Sequence, residues 1–435
     1  MTLNKINIEK NLIMFFIIIS FFSGVMGYLS YMMDSPIIRL WKEIYILFLS
    51  LCIIIFNINK IIRININYKF LLSIFIGLFF LGEIIYSSLI VEIPLIVILY
   101  QLKSDLLLFI FFIVMYIFFF SLSKEELKVF SKSIIKLMLF LGLVNAIAMI
   151  LQAIFFEQFL NLIGLDFGNW GTKVGVRVET VGSDLLRPIG LQTGFISSST
   201  LSLLCFIIIN ENQIYMIKNK ILKLIYNFIF LASILLSTYA TAIMGLVLYF
   251  IIKIICYIIS NKKNRKYIMF FLYSCIFILF FCATHELSIY ELIKSFYPDK
   301  AYTSIFIRVM LYSYVINDWN SSISSLLLGL GLGTNGTYGL DKALYGISSI
   351  PLDSTHIYLL SNYGFIGILF FSFIMIYYIL YFYNNDILGI EYFCMYILII
   401  EFFFNNFMVD FPVNFITILL IVLNLSLSKF NIERK

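Results

Sequence analysis

Apolar runs of about twenty residues, bounded by charged residues, recur along this chain and match the length a helix needs to cross a bilayer. They lie near 12–32, 40–57, 70–91, 105–121, 134–156, 189–210, 222–237, 240–259, 267–283, 357–382, 387–405 and 412–428. The stretch from Leu222 to Ile259 is too long for one crossing and divides at its polar pair, Ser237-Thr238. Continuous runs argue against a transmembrane barrel, whose strands show about ten residues of alternating polarity. Of the 435 residues, 62% are hydrophobic and 12% charged, whereas soluble chains carry about 25% charged residues. The expected fold is an all-α integral membrane protein of about twelve transmembrane helices, a single polytopic domain over 1–435.

The first run follows Lys5 and Lys10, lacks a small-residue cleavage site and exceeds a signal-peptide core, so it reads as the first span. Cys52, Cys205, Cys256 and Cys394 lie inside apolar runs with no CxxC spacing, which fits small packing residues and neither zinc nor a disulfide framework. The net charge of +6 resides between the spans, where it reports orientation and not a nucleic-acid partner. Lys5 and Lys10, Lys60 to Lys69, Lys124 to Lys132, Lys218 to Lys223, Lys262 to Lys266, and Arg434 with Lys435 all fall on one side. The positive-inside rule makes that side the cytoplasm, with both termini on it and the chain in the cytoplasmic (inner) membrane.

Two extracytoplasmic loops are long, about 157–188 and 284–355, the second between spans 9 and 10; long loops are where function is expected. No GxxxxGK[ST] phosphate loop is present, so no nucleotide-hydrolysing module is expected. Basic residues are scarce in these loops. Arg187 stands in Leu-Leu-Arg-Pro-Ile-Gly, with Pro188 suited to the first position of the sixth helix, so an arginine fork beside free helix N–H groups offers a phosphate cradle. Arg177 joins it as a candidate binding residue of the same loop, and Arg308 lies in a helical stretch of the large loop. Gly329 to Gly336 holds a Gly-x-Gly-x-Gly pattern in which Gly331 and Gly333 would let backbone amides approach a ligand. His356 begins the tenth span with Tyr358 beside it and Asp353 nearly one turn earlier, placed to orient the ring. His285, beside Glu286, reads as structural.

In order along the chain come Arg-Pro-x-Gly opening a span, Ser237-Thr238, an arginine helix with Gly-x-Gly-x-Gly, and Asp-x-x-His followed by Gly-x-x-Gly. That order resembles the O-antigen polymerase (Wzy) and O-antigen ligase superfamily, related to the C-type glycosyltransferases. The resemblance covers about 175 to 375 closely and the remainder by span pattern. Ile357 follows the histidine where family members often carry Asn or Ser, and Ser237-Thr238 stands where they often carry Ser-Arg.

The resemblance implies transfer of a lipid-carried glycan at the outer face of the membrane, with undecaprenyl diphosphate leaving. Arg187 and Arg308 would hold the departing anion, and His356 would take the proton from the acceptor hydroxyl. No cofactor is expected, and the scattered outward carboxylates Asp166, Glu179, Asp184, Asp299, Asp318 and Asp341 form no metal-binding spacing. The implied partners are the undecaprenyl-diphosphate-linked oligosaccharide, membrane lipids, and flippase and chain-length regulator proteins of one pathway. Within this reading a surface-polysaccharide polymerase leads. The alternatives are a ligase that moves glycan to the lipid A core of lipopolysaccharide and, from another class, a flippase of lipid-linked oligosaccharides.

Overall fold

The computed structural model describes residues 2–33, 40–62, 68–164, 176, 178–181, 185–258, 274, 304–336, 350, 352–385 and 387–429. The expected span 267–283 apart from residue 274, His285, Glu286, Arg177, and Asp166, Asp184, Asp299 and Asp341 lie outside them. The remaining expected spans each fall on helical segments: α1 (Thr2–Phe21), α2 (Ser23–Met32), α3 (Trp41–Ile62), α4 (Tyr68–Ile85), α5 (Leu95–Ser121) and α6 (Lys124–Ile154) come first. After the short α7 (Phe156–Leu162) and the strands β1 (Glu179–Val181) and β2 (Leu185–Arg187) come α8 (Phe195–Glu211), α9 (Lys220–Leu236) and α10 (Ala240–Ile258). The chain continues with α11 (Ser304–Trp319), α12 (Ile323–Leu328), α13 (Thr355–Asn385), α14 (Glu391–Tyr396), α15 (Phe402–Phe404) and α16 (Val413–Lys429).

Helix is the default because backbone groups in lipid must bond within their own segment. Pro94, Pro188 and Pro412 stand outside the helices, where a missing N–H does least harm. Ser123 starts α6 with a capping box: its hydroxyl accepts from the Glu126 amide and its own amide donates to the Glu126 carboxylate. Among the described residues four helices are long and apolar enough to cross a membrane, Trp41–Ile58, Leu95–Ser121, Lys124–Ile154 and Ala240–Ile258. A fifth is added if the pair α1–α2, bent by 72°, counts as one span. The protein is thus a membrane-embedded, all-α protein, and its exposed Leu47, Phe48, Leu51, Phe228, Ile254 and Ile258 suit a lipid-facing surface.

The centre of the bundle is α5, flanked by α3 and α16; α8 lies against α6, α9 and α10. At one end the ammonium groups of Lys5, Lys10 and Lys429 sit over the rings of Phe56, Phe130 and Phe120 at 5.8, 5.9 and 5.1 Å. Several helices are interrupted. Tyr86–Ile90 and Ile397–Glu401 are π-helical, and α13 breaks at Gly364, whose φ is 62°. The last break has a visible cause: the Leu330 amide takes the Ser361 carbonyl at 2.7 Å, the acceptor residue 365 would use in a continuous helix.

Candidate functional site

Arg187 ends β2, opposite Glu179 in the antiparallel pair. The expectation that Pro188 opens the following helix is corrected: five residues of turn intervene, and α8 starts at Phe195 with Gly194 as its N-cap. The turn is pinned by α6 and by the α1–α2 bend. Gln152 on α6 accepts from the Gly190 amide and donates to its carbonyl, both at 2.7 Å. Asn145 accepts from the Leu191 amide at 2.9 Å. At the α1–α2 bend, the Gly24 amide donates to the Leu191 carbonyl at 2.9 Å and Ser23 donates to Gln192 at 2.7 Å. Only glycine fits at position 24, since a Cβ there would stand 2.3 Å from the Gln192 carbonyl oxygen. The Arg187 guanidinium returns to the helix start across this turn: it lies 4.8 Å over the Phe195 ring and meets Glu179 at 3.3 Å. Its Nε is buried without a hydrogen-bond partner.

Phe195 leads to the second arginine. Its ring packs edge-on against Tyr239 at 5.7 Å, and Tyr239 follows Thr238, whose φ of 51° marks the sharp turn joining α9 to α10. Tyr239 lies within electrostatic reach of Arg308, Glu401 and Asp410. Its buried hydroxyl makes no hydrogen bond of good geometry, with Thr241 only in loose reach. Arg308, on α11, holds Asp353 through Nε and a terminal nitrogen, both at 3.1 Å. Both side chains keep about a third of their surface exposed, 34% and 38%.

Asp353, expected to orient His356, is engaged by Arg308 through one carboxylate oxygen. His356 itself is 2% exposed and rests against Phe403 and Phe402, with ring centroids 4.5 and 5.5 Å away. The start of α13 is bolted to the segment after α15. Thr355 donates through its amide and its hydroxyl to the Asn405 carbonyl at 3.1 and 2.9 Å, and Ser354 donates to the Phe402 carbonyl at 3.0 Å. These bonds tie the start of α13 to the 402–407 segment.

Two carboxylates complete this end of the bundle. Asn405 donates to Glu401 at 2.5 Å and to Asp410 at 3.5 Å, Tyr396 donates to Glu401, and Ser197 at the head of α8 donates to Asp410 at 2.6 Å. Asp410 sits in the connection between α15 and α16, partly buried with part of its surface accessible. Desolvation pushes its carboxyl up to about 6, against the opposing hydrogen bonds from Ser197 and Asn405. Neither Asp410 nor Tyr239 stands out in the sequence. The only signals were Ser237-Thr238, which splits a double-length run, and the polar pair Asn405-Asn406 before Asp410.

The remaining expected residues lie elsewhere. Gly331 and Gly333 were expected to present amides to a ligand. Instead, the Gly333 amide donates to Asn362, and a Cβ on Gly331 or Gly333 would meet Ile93 or Val97 at 2.6 or 2.8 Å. With φ of 93° and 84° they are packing glycines that seat this loop against α5 and α13. Tyr358 is corrected as well: it is fully buried, and its hydroxyl donates to both oxygens of Asp105 at 2.8 and 2.9 Å. Asp105 also receives Tyr363 at 2.5 Å and Gln101 at 3.0 Å. The expected span began at Asp105, but α5 starts at Leu95 and carries this acid to the interior.

Among the described residues, no three His, Cys, Asp or Glu side chains gather to hold a metal ion. No protein-family model and no curated protein matches this chain.

Proposed function

We propose that this protein transfers a glycan from a polyprenyl-diphosphate donor at the outer face of the cytoplasmic membrane, and that it acts as a surface-polysaccharide polymerase. The observation that carries the reading is that Arg308 lies within electrostatic reach of Tyr239 while Arg187, far away in sequence, covers Phe195, the ring packed on that tyrosine. Two guanidinium groups suit a departing diphosphate through paired N–H donors, and such charge stabilisation needs no protein-bound cofactor. The 187 turn, the 237–239 turn, α11, the start of α13 and the 405–412 connection are segments that the distribution of basic residues assigns to the outside. In the resemblance-based mechanism His356 is the base. Its ring is covered by Phe402 and Phe403.

The test is chain extension in sealed proteoliposomes supplied with undecaprenyl-diphosphate-linked repeat units. Wild-type protein should lengthen the lipid-linked glycan, and failure to form any new glycosidic bond would overturn the reading. In cells, deletion should leave single repeat units on the acceptor if the protein is a polymerase, and no attached glycan if it is a ligase. A reporter fused after Lys266 should read cytoplasmic and one fused near Asn335 periplasmic.

A flippase is the second reading, favoured by Glu83 and by the interrupted helices. Glu83 is 1% exposed inside α4, and neither of its carboxylate oxygens has a hydrogen-bond partner. It stands next to the π-helical turn 86–90 and within electrostatic reach of Tyr363. Unpaired acids beside broken helices are features of transporters. Movement of the lipid-linked glycan across the vesicle bilayer, with no change in its length, is the outcome that would establish this reading over the first.

A further inference from the structure

On the premise that glycosyl transfer is the activity, we infer that Asp410 is the proton acceptor for the attacking sugar hydroxyl, with Ser197 and Asn405 holding its carboxylate in place. Three observations carry the assignment. Asp410 keeps an accessible face although it lies deep in the outer end of the bundle, whereas His356 is covered by Phe402 and Phe403. Its two oxygens are held from separate elements, Oδ1 by Ser197 on α8 at 2.6 Å and Oδ2 by Asn405 at 3.5 Å, which fixes its direction while leaving lone pairs for a third donor. Beside it stands the buried Tyr239 hydroxyl, 9% exposed as a residue and without a hydrogen bond of good geometry. A buried hydroxyl in that condition beside two acids and an arginine is what a site completed by a polar ligand leaves behind.

The step balances. The acceptor O–H proton passes to an Asp410 oxygen as the new bond from that hydroxyl oxygen to the anomeric carbon forms. The anomeric C–O bond to the diphosphate breaks, its electron pair leaves on the diphosphate oxygen, and Arg308 and Arg187 meet the added negative charge. Asp410 then returns the proton to water. The charged and titratable groups facing Asp410 are Glu401 through Asn405, Tyr239 and, beyond it, Arg308. On the other side Lys42 lies 5.3 Å over the ring of the adjoining Phe411. A base in this position works only when ionised, so activity should rise with pH through about 6, where burial has moved this carboxyl.

The experiment uses the full chain in proteoliposomes with undecaprenyl-diphosphate-linked glycan isolated from cells deleted for this protein, and follows chain extension from pH 4.5 to 8. Wild-type rate should climb through about pH 6 to a plateau, while Asp410→Asn should lie about 10²–10⁴-fold lower and be flat. Ser197→Ala removes a hydrogen bond to the ionised form, so it should move the midpoint to higher pH with the plateau largely kept. Asp410→Asn with a wild-type rate and profile would overturn the assignment while leaving the transferase reading intact. If Asp410→Asn fails to accumulate, the Ser197→Ala midpoint decides, and an unmoved midpoint overturns the assignment. Absence of extension by the wild type would overturn the transferase reading and this inference with it.

Discussion

Among the described residues, the carboxylate centres at Asp105 and at Asp410 with Glu401 differ in completeness. Around Asp105, in the interior of α5, four side-chain groups converge: Tyr358, Tyr363, Gln101 and, at 3.4 Å, Ser104. The acid is a clip that fastens α5 to α13, the helix headed by His356. Around Asp410 and Glu401, at the end of the bundle, Tyr239 keeps a hydroxyl without a well-formed hydrogen bond. A satisfied polar cluster in a protein interior builds architecture, because every group in it would be penalised by release. An incompletely satisfied one is a place where something else is expected to bind.

The sharpest way to break this contrast is Asp105→Leu. It leaves the Tyr358 and Tyr363 hydroxyls buried without their acceptor, at about 1–3 kcal/mol each, so stability should fall by several kcal/mol. Thermal unfolding in detergent or nanodiscs reads this, and turnover per folded molecule should stay near wild type. Arg308→Gln should do the opposite. Loss of one donor to a developing anion typically lowers turnover about 10²–10³-fold, with accumulation in the membrane preserved because the arginine is a third exposed. A large loss of turnover in Asp105→Leu, or unchanged turnover in Arg308→Gln, would erase the distinction.

Gly333→Ala separates packing from ligand contact in the glycine loop. The added Cβ meets Val97 at 2.8 Å on a backbone with φ of 84°, and overpacking of this kind costs about 1–3 kcal/mol. The melting temperature should drop while the Michaelis constant for the lipid-linked donor is unchanged; a selective rise in that constant would restore the glycines to the binding site. Smallest is Ser123→Ala at the opposite end of the bundle. Removal of a capping box there should lower stability by about 1 kcal/mol and leave activity alone.

The helical, membrane-embedded architecture is legible because it rests on hydropathy, which each residue carries by itself. Breaks in the helices are less legible. Gly364 and the bend at Phe22 depend on partners, Leu330 in one case and Leu191 with Gln192 in the other, supplied by remote segments. The same holds for side-chain roles. Arg187 and Arg308 stand out in loops poor in basic residues; Arg308 lies within electrostatic reach of Tyr239 and Arg187 lies over Phe195. Asp353 and Tyr358 look like neighbours of His356 along the helix. They turn instead to Arg308 and Asp105, because ion pairing and burial outweigh sequence proximity. Asp410 is invisible beforehand: a lone acid beside an apolar run reads as a span boundary until Ser197, more than two hundred residues earlier, is seen to hold it.

The bend between α1 and α2 bears on how the protein is made. Its hydrogen bonds to the Leu191 carbonyl and to Gln192 come from a turn that the ribosome delivers long after the first helix has entered the bilayer. A helix opened by 72° with no partner would expose backbone groups to hydrocarbon, where they have nothing to bond. The bent shape of the N-terminal pair is therefore completed only by residues about 170 positions further along the chain.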